Sequence, residues 1–375
     1  MIRTLLLHFL LLATTCAVAQ PSRKPGITVP LQASSWDFQP GTVEFINYKS
    51  VPAMRIAGSR DSAILKQFDF TDGTIEYDIE LLDAKFSGFY FRRSNAKETE
   101  YFYFRSARAG NSNAIDAVQY APYLDGVNMW DMYPQYQGNA SFDPGRWNHV
   151  KLVVSGKQLR VYVNDMNRPT LEVPFLESRS SHGALSFDGH AIIANLVVKP
   201  GQTEGLPAQA GIDPASNDPR YLRKWALSQA IAVPDSIDFS KYYIPKQDGP
   251  WTAIQAERGG LVNLTRQLGF VPKARRLVFL KTNIRSDSAQ SRVLSLGFSD
   301  DVYVFLNGRY LYIDKNTYIA PIIKKPEGRC SLENASFAVP LNKGDNELLI
   351  GVANDFYGWG IIARFDKLDG MQIEK

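Results

Sequence analysis

Between Thr74 and Arg105 three short runs alternate apolar and polar residues with a period of two. One face takes Ile75, Tyr77 and Ile79, then Phe89 and Phe91, then Phe102 and Phe104. The other takes Glu76, Asp78 and Glu80, then Tyr90 and Arg92, then Tyr101, Tyr103 and Arg105. Strand side chains point alternately to opposite faces, so the pattern predicts three strands. They are read as one sheet with an oily side and a side of carboxylates, guanidinium groups and phenols. Amphipathic rings beside bidentate hydrogen-bonding groups suit a polyol better than bare water, which makes this face the leading candidate for function.

The same periodicity continues over Ala117 to Tyr120, Trp147 to Ser155, Gln158 to Asn164, Gly183 to Phe187 and Ile192 to Val198, with Gly, Asn, Asp or Pro between the runs. Ser155-Gly156-Lys157 joins two of them as a tight hairpin. Residues 200–219 lack periodicity and are rich in Pro, Gly, Ala and Gln, as an interdomain linker is. Asp218-Pro219 is placed to cap a short helix running to about Gln229, with Tyr221, Leu222, Trp225 and Leu227 on its apolar side. Beyond Trp251 the strand pattern returns, from Gly260 to Leu264, Ala274 to Ile284, Val293 to Phe298, Asp301 to Asn307, Asn346 to Ala353 and Gly360 to Phe365 among others. The expected fold is all-β: two β-sandwich (jelly-roll) domains, residues 20–199 and 221–375, joined by a linker over 200–220 and a short helix.

The first residues change the picture of where the chain works. Arg3, the apolar stretch Leu5 to Leu12 and Ala17-Val18-Ala19 form a signal peptide over residues 1–19, and predict a secreted, periplasmic or cell-surface bacterial protein. Cleavage would remove Cys16, which is a weak lipidation candidate, and would leave Cys330 alone, so no intrachain disulfide is expected. With 42 Lys and Arg against 38 Asp and Glu and no basic run, nothing electrostatic favours nucleic acid or a membrane surface. No later segment is long and apolar enough for a transmembrane helix.

Phe68-Asp69-Phe70, the run Asp72 to Ile79, Ser87 to Arg92, and Gly145 to Gly156 leading to Val161-Tyr162-Val163-Asn164 resemble the concanavalin A-like lectin/glucanase superfamily. Within it they look most like laminin-G-like domains and the bacterial 3-keto-disaccharide hydrolase family. The resemblance implies a curved sandwich whose concave face holds glycan. Ser295 to Gly308, Gly344 to Ile350 and Asn354 to Gly360 look like the galactose-binding-domain-like jelly roll that accompanies many carbohydrate-active enzymes.

Glu76-Tyr77-Asp78-Ile79-Glu80 has the form Glu-x-Asp-x-Glu and resembles the catalytic strand of laminarinase-like glycosidases, where the outer glutamates are nucleophile and acid/base. Here Glu76 and Glu80 would stand about 13 Å apart on a flat strand, too far for that pairing without strong curvature. Arg92 and Arg105 are expected to neutralise these acids across strands, to grip a sugar, or both. Between Gln119 and Gln137 an aromatic, turn-rich loop carries Trp130 and Tyr133 as candidate ligand contacts. The isolated histidines give no zinc spacing. Asp300 and Asp301 could contribute to a calcium site, though turn chemistry explains them as well. The functional expectation is therefore glycan or polysaccharide binding without a cofactor, through Glu76, Asp78, Tyr90, Arg92, Tyr101, Tyr103, Arg105, Trp130 and Tyr133. The alternatives are a carbohydrate-active enzyme, glycosidase or 3-keto-glycoside hydrolase or lyase, and a cell-surface adhesion module.

Overall fold

The computed structural model describes residues 25–57, 63–111, 113–234, 244, 249–318 and 321–374. The expected signal peptide lies outside them. Nearly all of the regular structure is antiparallel sheet, and no described helix is long and apolar enough to cross a membrane.

Two sheets make the first sandwich. The back sheet runs in the order Leu171–Val173, Gln158–Val163, Asn148–Ser155, Gly73–Leu81, Ala191–Pro200, Val51–Ile56, Val43–Tyr48. The front sheet runs Gln137–Gly138, Val118–Tyr120, Glu100–Arg105, Phe86–Arg93, Ala184–Gly189, Ala63–Leu65, Trp36–Asp37. Ile75, Tyr77 and Ile79 of the back sheet and Phe89, Phe91, Phe102 and Phe104 of the front sheet are all buried in one core. The Tyr77 ring packs 5.3 Å from Phe89 and 5.0 Å from Phe187. Each such aromatic side chain contributes roughly 2 to 3 kcal/mol by leaving water.

This geometry corrects the expectation of a single sheet. The three runs share oily faces because those faces meet across the core, and the connection after Leu81 carries the chain from the back sheet to the front. Their polar faces therefore point away from each other. Glu76, Asp78 and Glu80 lie on the outside of the back sheet, whereas Tyr90, Tyr101, Tyr103 and Arg105 lie on the outside of the front sheet.

The second sandwich pairs a sheet of eight described strands, centred on Arg276–Ser286 and Gly344–Ala353, with the four strands Leu261–Asn263, Gly360–Phe365, Gln290–Ser299 and Ala335–Leu341. Where a helix was expected after Pro219, Lys224–Leu227 is a strand paired with Thr252–Gln255 and with Arg276–Ser286. The described α-helix is a single turn, Leu264–Leu268, whose N-cap Asn263 accepts a bond from the Arg266 amide.

Leu261 and Cys330 of the second sandwich are buried in the core of the first. Around them runs a polar seam. The Asp131 carbonyl accepts from the Cys330 amide, and its carboxylate accepts from the Gly358 amide and the Ser299 hydroxyl. The Tyr133 hydroxyl accepts from Asn263 at 3.1 Å, and Arg266 donates to the Glu177 carbonyl at 2.9 Å.

Candidate functional site

The outside of the front sheet carries a ladder of phenols. Tyr90 stacks on Tyr101 at 4.2 Å between centroids, and Tyr101 stacks on Tyr103 at 5.0 Å. They come together because Tyr90 and Tyr101 are cross-strand partners in register, while Gly88 opposite Tyr103 leaves room for the Tyr101 ring. The stacking turns the ring faces toward one another, and Tyr123 and Trp130 of the aromatic loop pack over them, so the three phenols expected to offer free faces are instead buried, at 8%, 4% and 4% exposure.

Their hydroxyls end on two polar groups. At one end Asp188 accepts from Tyr90 at 2.5 Å and from Tyr101 at 3.1 Å. Burial pushes the Asp188 carboxyl up to about 6, against the opposing pull of its two phenol donors and the Gly88 amide. At the other end Tyr103 donates to Gln119 Oε1 at 2.9 Å, and Arg105 donates to the same oxygen at 2.6 Å and to Tyr103 Oη at 3.0 Å. Gln119 in turn donates to the Trp130 carbonyl at 2.7 Å, which pins the aromatic loop over the ladder. Ser186, the register partner of Tyr90 on the neighbouring strand, is buried with its hydroxyl lacking a hydrogen-bond partner among the described residues.

Open ring surface sits at the margins. Phe86, 56% exposed, meets Tyr103 edge-on at 5.7 Å. Across the face, the Trp130 ring meets two rings of the second sandwich edge-on, Tyr318 at 5.2 Å and Tyr357 at 5.9 Å, and these are 52% and 46% exposed. The candidate site thus lies over the front sheet and is bordered by both sandwiches. Two surface hollows lie elsewhere, one of 280 Å³ lined by residues such as Phe68, Asp72 and Gly201, the other of 410 Å³ lined by residues such as Ser141, Arg168 and Thr170. Neither touches the phenol ladder.

Several predicted residues are placed apart from this face. Glu80 accepts from Tyr48 and Lys49, Glu76 from Lys199, and Asp78 from Asn195 and His149, all on the back sheet. The acids are therefore partnered by lysines, a tyrosine, an asparagine and a histidine, not by Arg92 and Arg105 as expected. Arg92 has left the face altogether. Its backbone takes φ +49 beside an irregularity in the pairing with Ala184–Gly189, and its buried guanidinium donates to the Thr71 and Gly156 carbonyls and to Asp72 at 2.7 Å. Tyr133 is buried in the seam. In the second sandwich, Asp301 is held by Arg275 and Lys315, and Asp300 accepts the Asp355 and Phe356 amides. The described residues contain no group of three or more His, Cys, Asp or Glu side chains that could hold a metal.

The residues missed from the sequence are Asp188, Ser186, Gln119 and Asp116, together with Tyr318, Arg329 and Tyr357 from the second sandwich. Asp188 had a signal: it continues the alternation of Ser186 and Phe187 by one step. The second-sandwich residues had none, since nothing in one strand's pattern tells which surface a distant loop will meet.

With this geometry in place, comparison with known proteins decides the kind of domain. Residues 36–194 match the 3-keto-alpha-glucoside-1,2-lyase-like domain. The match falls on the first sandwich, where a resemblance to the 3-keto-disaccharide hydrolase family and the concanavalin A-like superfamily was expected, and it makes this a carbohydrate-related domain. Among solved structures the chain is similar to the carbohydrate-binding module CBM66 from Bacillus subtilis, with 16% identity over 43% of this chain and 93% of that one and a TM-score of 0.33. It is also similar to a putative glycosyl hydrolase from Parabacteroides distasonis, with 9% identity over 47% and 100% and a TM-score of 0.36. The Bacillus licheniformis β-glucanase shares 13% identity over 48% and 99%, with a TM-score of 0.34. No curated protein sequence matches this chain.

Proposed function

We propose that this protein is an exported glycan-binding protein whose ligand lies over the front sheet of the first sandwich. The observation that carries this is the aromatic margin of the front sheet, where Phe86, Tyr318 and Tyr357 are exposed around a part-buried Trp130, backed by the buried polar network from Asp188 through the phenols to Gln119 and Arg105. Sugars combine apolar ring faces with a dense rim of hydroxyls, and the exposed rings of this margin suit those apolar faces. Titration of the chain against a panel of oligosaccharides and polysaccharides, followed by tryptophan fluorescence, tests the proposal. Trp130→Ala is expected to weaken binding at least thirtyfold, the loss typical of a central aromatic anchor at about 2 kcal/mol. Absence of binding to every member of the panel would sink it.

Glu76→Gln and Glu80→Gln serve as the contrasting pair. Because both carboxylates face away from the front sheet, the double variant is expected to bind glycan within twofold of the parent. A tenfold or greater loss would move the site to the back sheet.

Asp188 supports a second reading, lyase action on 3-keto-glycosides. A carboxylate titrating near 6 is matched to removing a proton from the carbon beside a ketone at neutral pH. The carbon–hydrogen electron pair would form the new double bond as the glycosidic carbon–oxygen bond breaks, and the departing oxygen would take a proton from water. Here Asp188→Asn should abolish release of the aglycone from a 3-keto-glycoside, with any loss of binding measured separately by titrating the same variant. Unchanged release, or none with the parent, rejects this reading.

A further inference from the structure

The proposed glycan site borders a group of charges drawn from both sandwiches. Asp116, mostly buried, receives three guanidinium groups: Arg108 at 3.0 Å, Arg329 at 3.7 Å and Arg105 at 3.8 Å. Arg105 and Arg108 belong to the first sandwich, and Arg329 reaches across from the second. Among the described residues Arg329 has one further carboxylate ion pair, with Glu327 at 3.4 Å, which is itself largely exposed. Asp131, which also lies near Arg329, is pushed up to about 7 by burial, which reduces the charge it offers in compensation.

The cluster therefore holds more positive than negative charge in a place where charge is costly to leave uncompensated. Arg329 shows that cost. Its side chain is only 3% exposed, its Nε–H lacks a hydrogen-bond partner among the described residues, and its guanidinium lies 5.2 Å over the Trp130 ring. Burial and the neighbouring Arg105 both hold its pKa below the ordinary arginine value. Arg108, by contrast, is 45% exposed and close to the open Tyr318 ring, so the cluster reaches the surface at the aromatic margin of the candidate site.

We propose that the glycan carries an anionic group, a carboxylate or a sulfate ester on the sugar ring, bound by Arg108 at the exposed edge of this cluster beside Tyr318, with the buried Arg105 and Arg329 behind it supplying the surplus positive charge. The second sandwich then completes the binding site and selects acidic ligands, in addition to packing against its neighbour. A planar guanidinium reads a carboxylate or sulfate through paired, charge-assisted bonds, which a neutral hydroxymethyl group cannot reproduce. This inference rests on the glycan-binding reading above, and its test separates the two.

The whole chain is titrated against matched pairs of polysaccharides that differ only in charge. Polyuronates are compared with their methyl esters, and sulfated galactans with the same galactans after desulfation. The expected result is that one acidic member binds on the order of tenfold or more tighter than its neutral counterpart, and the arm in which this occurs identifies the carboxylate or the sulfate. Arg108→Gln, an exposed position whose variant should keep its melting temperature, is expected to remove that preference while leaving binding of the neutral member unchanged. Equal binding within every pair overturns the inference and leaves the glycan-binding reading standing. A preference that survives Arg108→Gln likewise overturns it, as diffuse attraction to a polyanion. Failure of both members of every pair to bind overturns both.

Discussion

Replacing Gly88 by alanine is expected to destabilise the protein by about 3 kcal/mol and to weaken glycan binding with it. Gly88 faces outward, opposite Tyr103 in register, and a Cβ there would stand 2.1 Å from Tyr101 Cε2 and 2.4 Å from its Cζ and Oη. The ring has nowhere to retreat. Tyr90 stacks on one side of it and Tyr103 on the other, and its hydroxyl is fixed to Asp188. The methyl group must therefore displace the ring or bend the strand, and either change disturbs the phenol ladder. Chemical denaturation should show a lower midpoint with an unchanged slope, and thermal unfolding should fall by roughly 10 °C. Removing the obstructing ring gives the internal check, because Gly88→Ala should cost much less in a Tyr101→Ala background. If Gly88→Ala costs the same in both backgrounds, Gly88 is not what seats the ladder.

Gly88 also illustrates what the sequence could and could not convey. Alternation located the strands Gly73–Leu81, Phe86–Arg93, Glu100–Arg105 and Asn148–Ser155 and sorted each into a core face and an outer face. It could not assign strands to sheets, because a period of two orients a side chain toward the core without saying from which side of the core it comes. Glu76 and Tyr103 are equally outward, yet the thickness of the sandwich separates them. Arg92 escaped for another reason: its left-handed backbone conformation and the nearby register shift break the alternation that placed it beside Tyr90. The helix expected after Pro219 failed through local competition. Asp218 accepts the Arg220 amide, closing a turn, and the buried Trp225 and Leu227 alternate with Lys224 and Ala226 as a strand requires. Sandwich architecture was legible because it depends on many repeated local signals. The composite margin of the site was not, since Tyr318, Arg329 and Tyr357 reach Trp130 only through the docking of two folded units.

That docking should make the protein more stable in mild acid than in mild alkali, with melting temperature falling by on the order of 10 °C between about pH 5 and about pH 8. Burial raises the carboxyls of Glu100 and Asp131 to about 7, Glu177 to about 8 and Asp188 to about 6, and it lifts Asp300 and Glu257 as well. In the unfolded chain all of these ionise near pH 4. Across the interval between those values the folded state binds more protons than the unfolded state, so the slope of unfolding free energy against pH is negative. The stabilisation is complete below the unfolded values and is lost as pH rises through the folded ones. Carboxyls shifted the other way, such as Asp218 at about 2, affect only the acid limb below pH 4. The groups involved concentrate at the seam: Asp131 and Asp300 share the Ser299 hydroxyl between them, at 3.2 and 3.0 Å, while Glu177 and Glu257 flank Arg266. Ionising both aspartates sets like charges on either side of one hydroxyl in a buried place, so the junction should loosen before either sandwich unfolds. Amide exchange at Gly358, which donates to the Asp131 carboxylate, should accelerate with pH beyond the intrinsic rate, and Asp131→Asn should suppress that excess by keeping an acceptor that cannot ionise. A melting temperature that is flat or rises from about pH 5 to about pH 8 would show that these carboxyls are already charged in the folded protein.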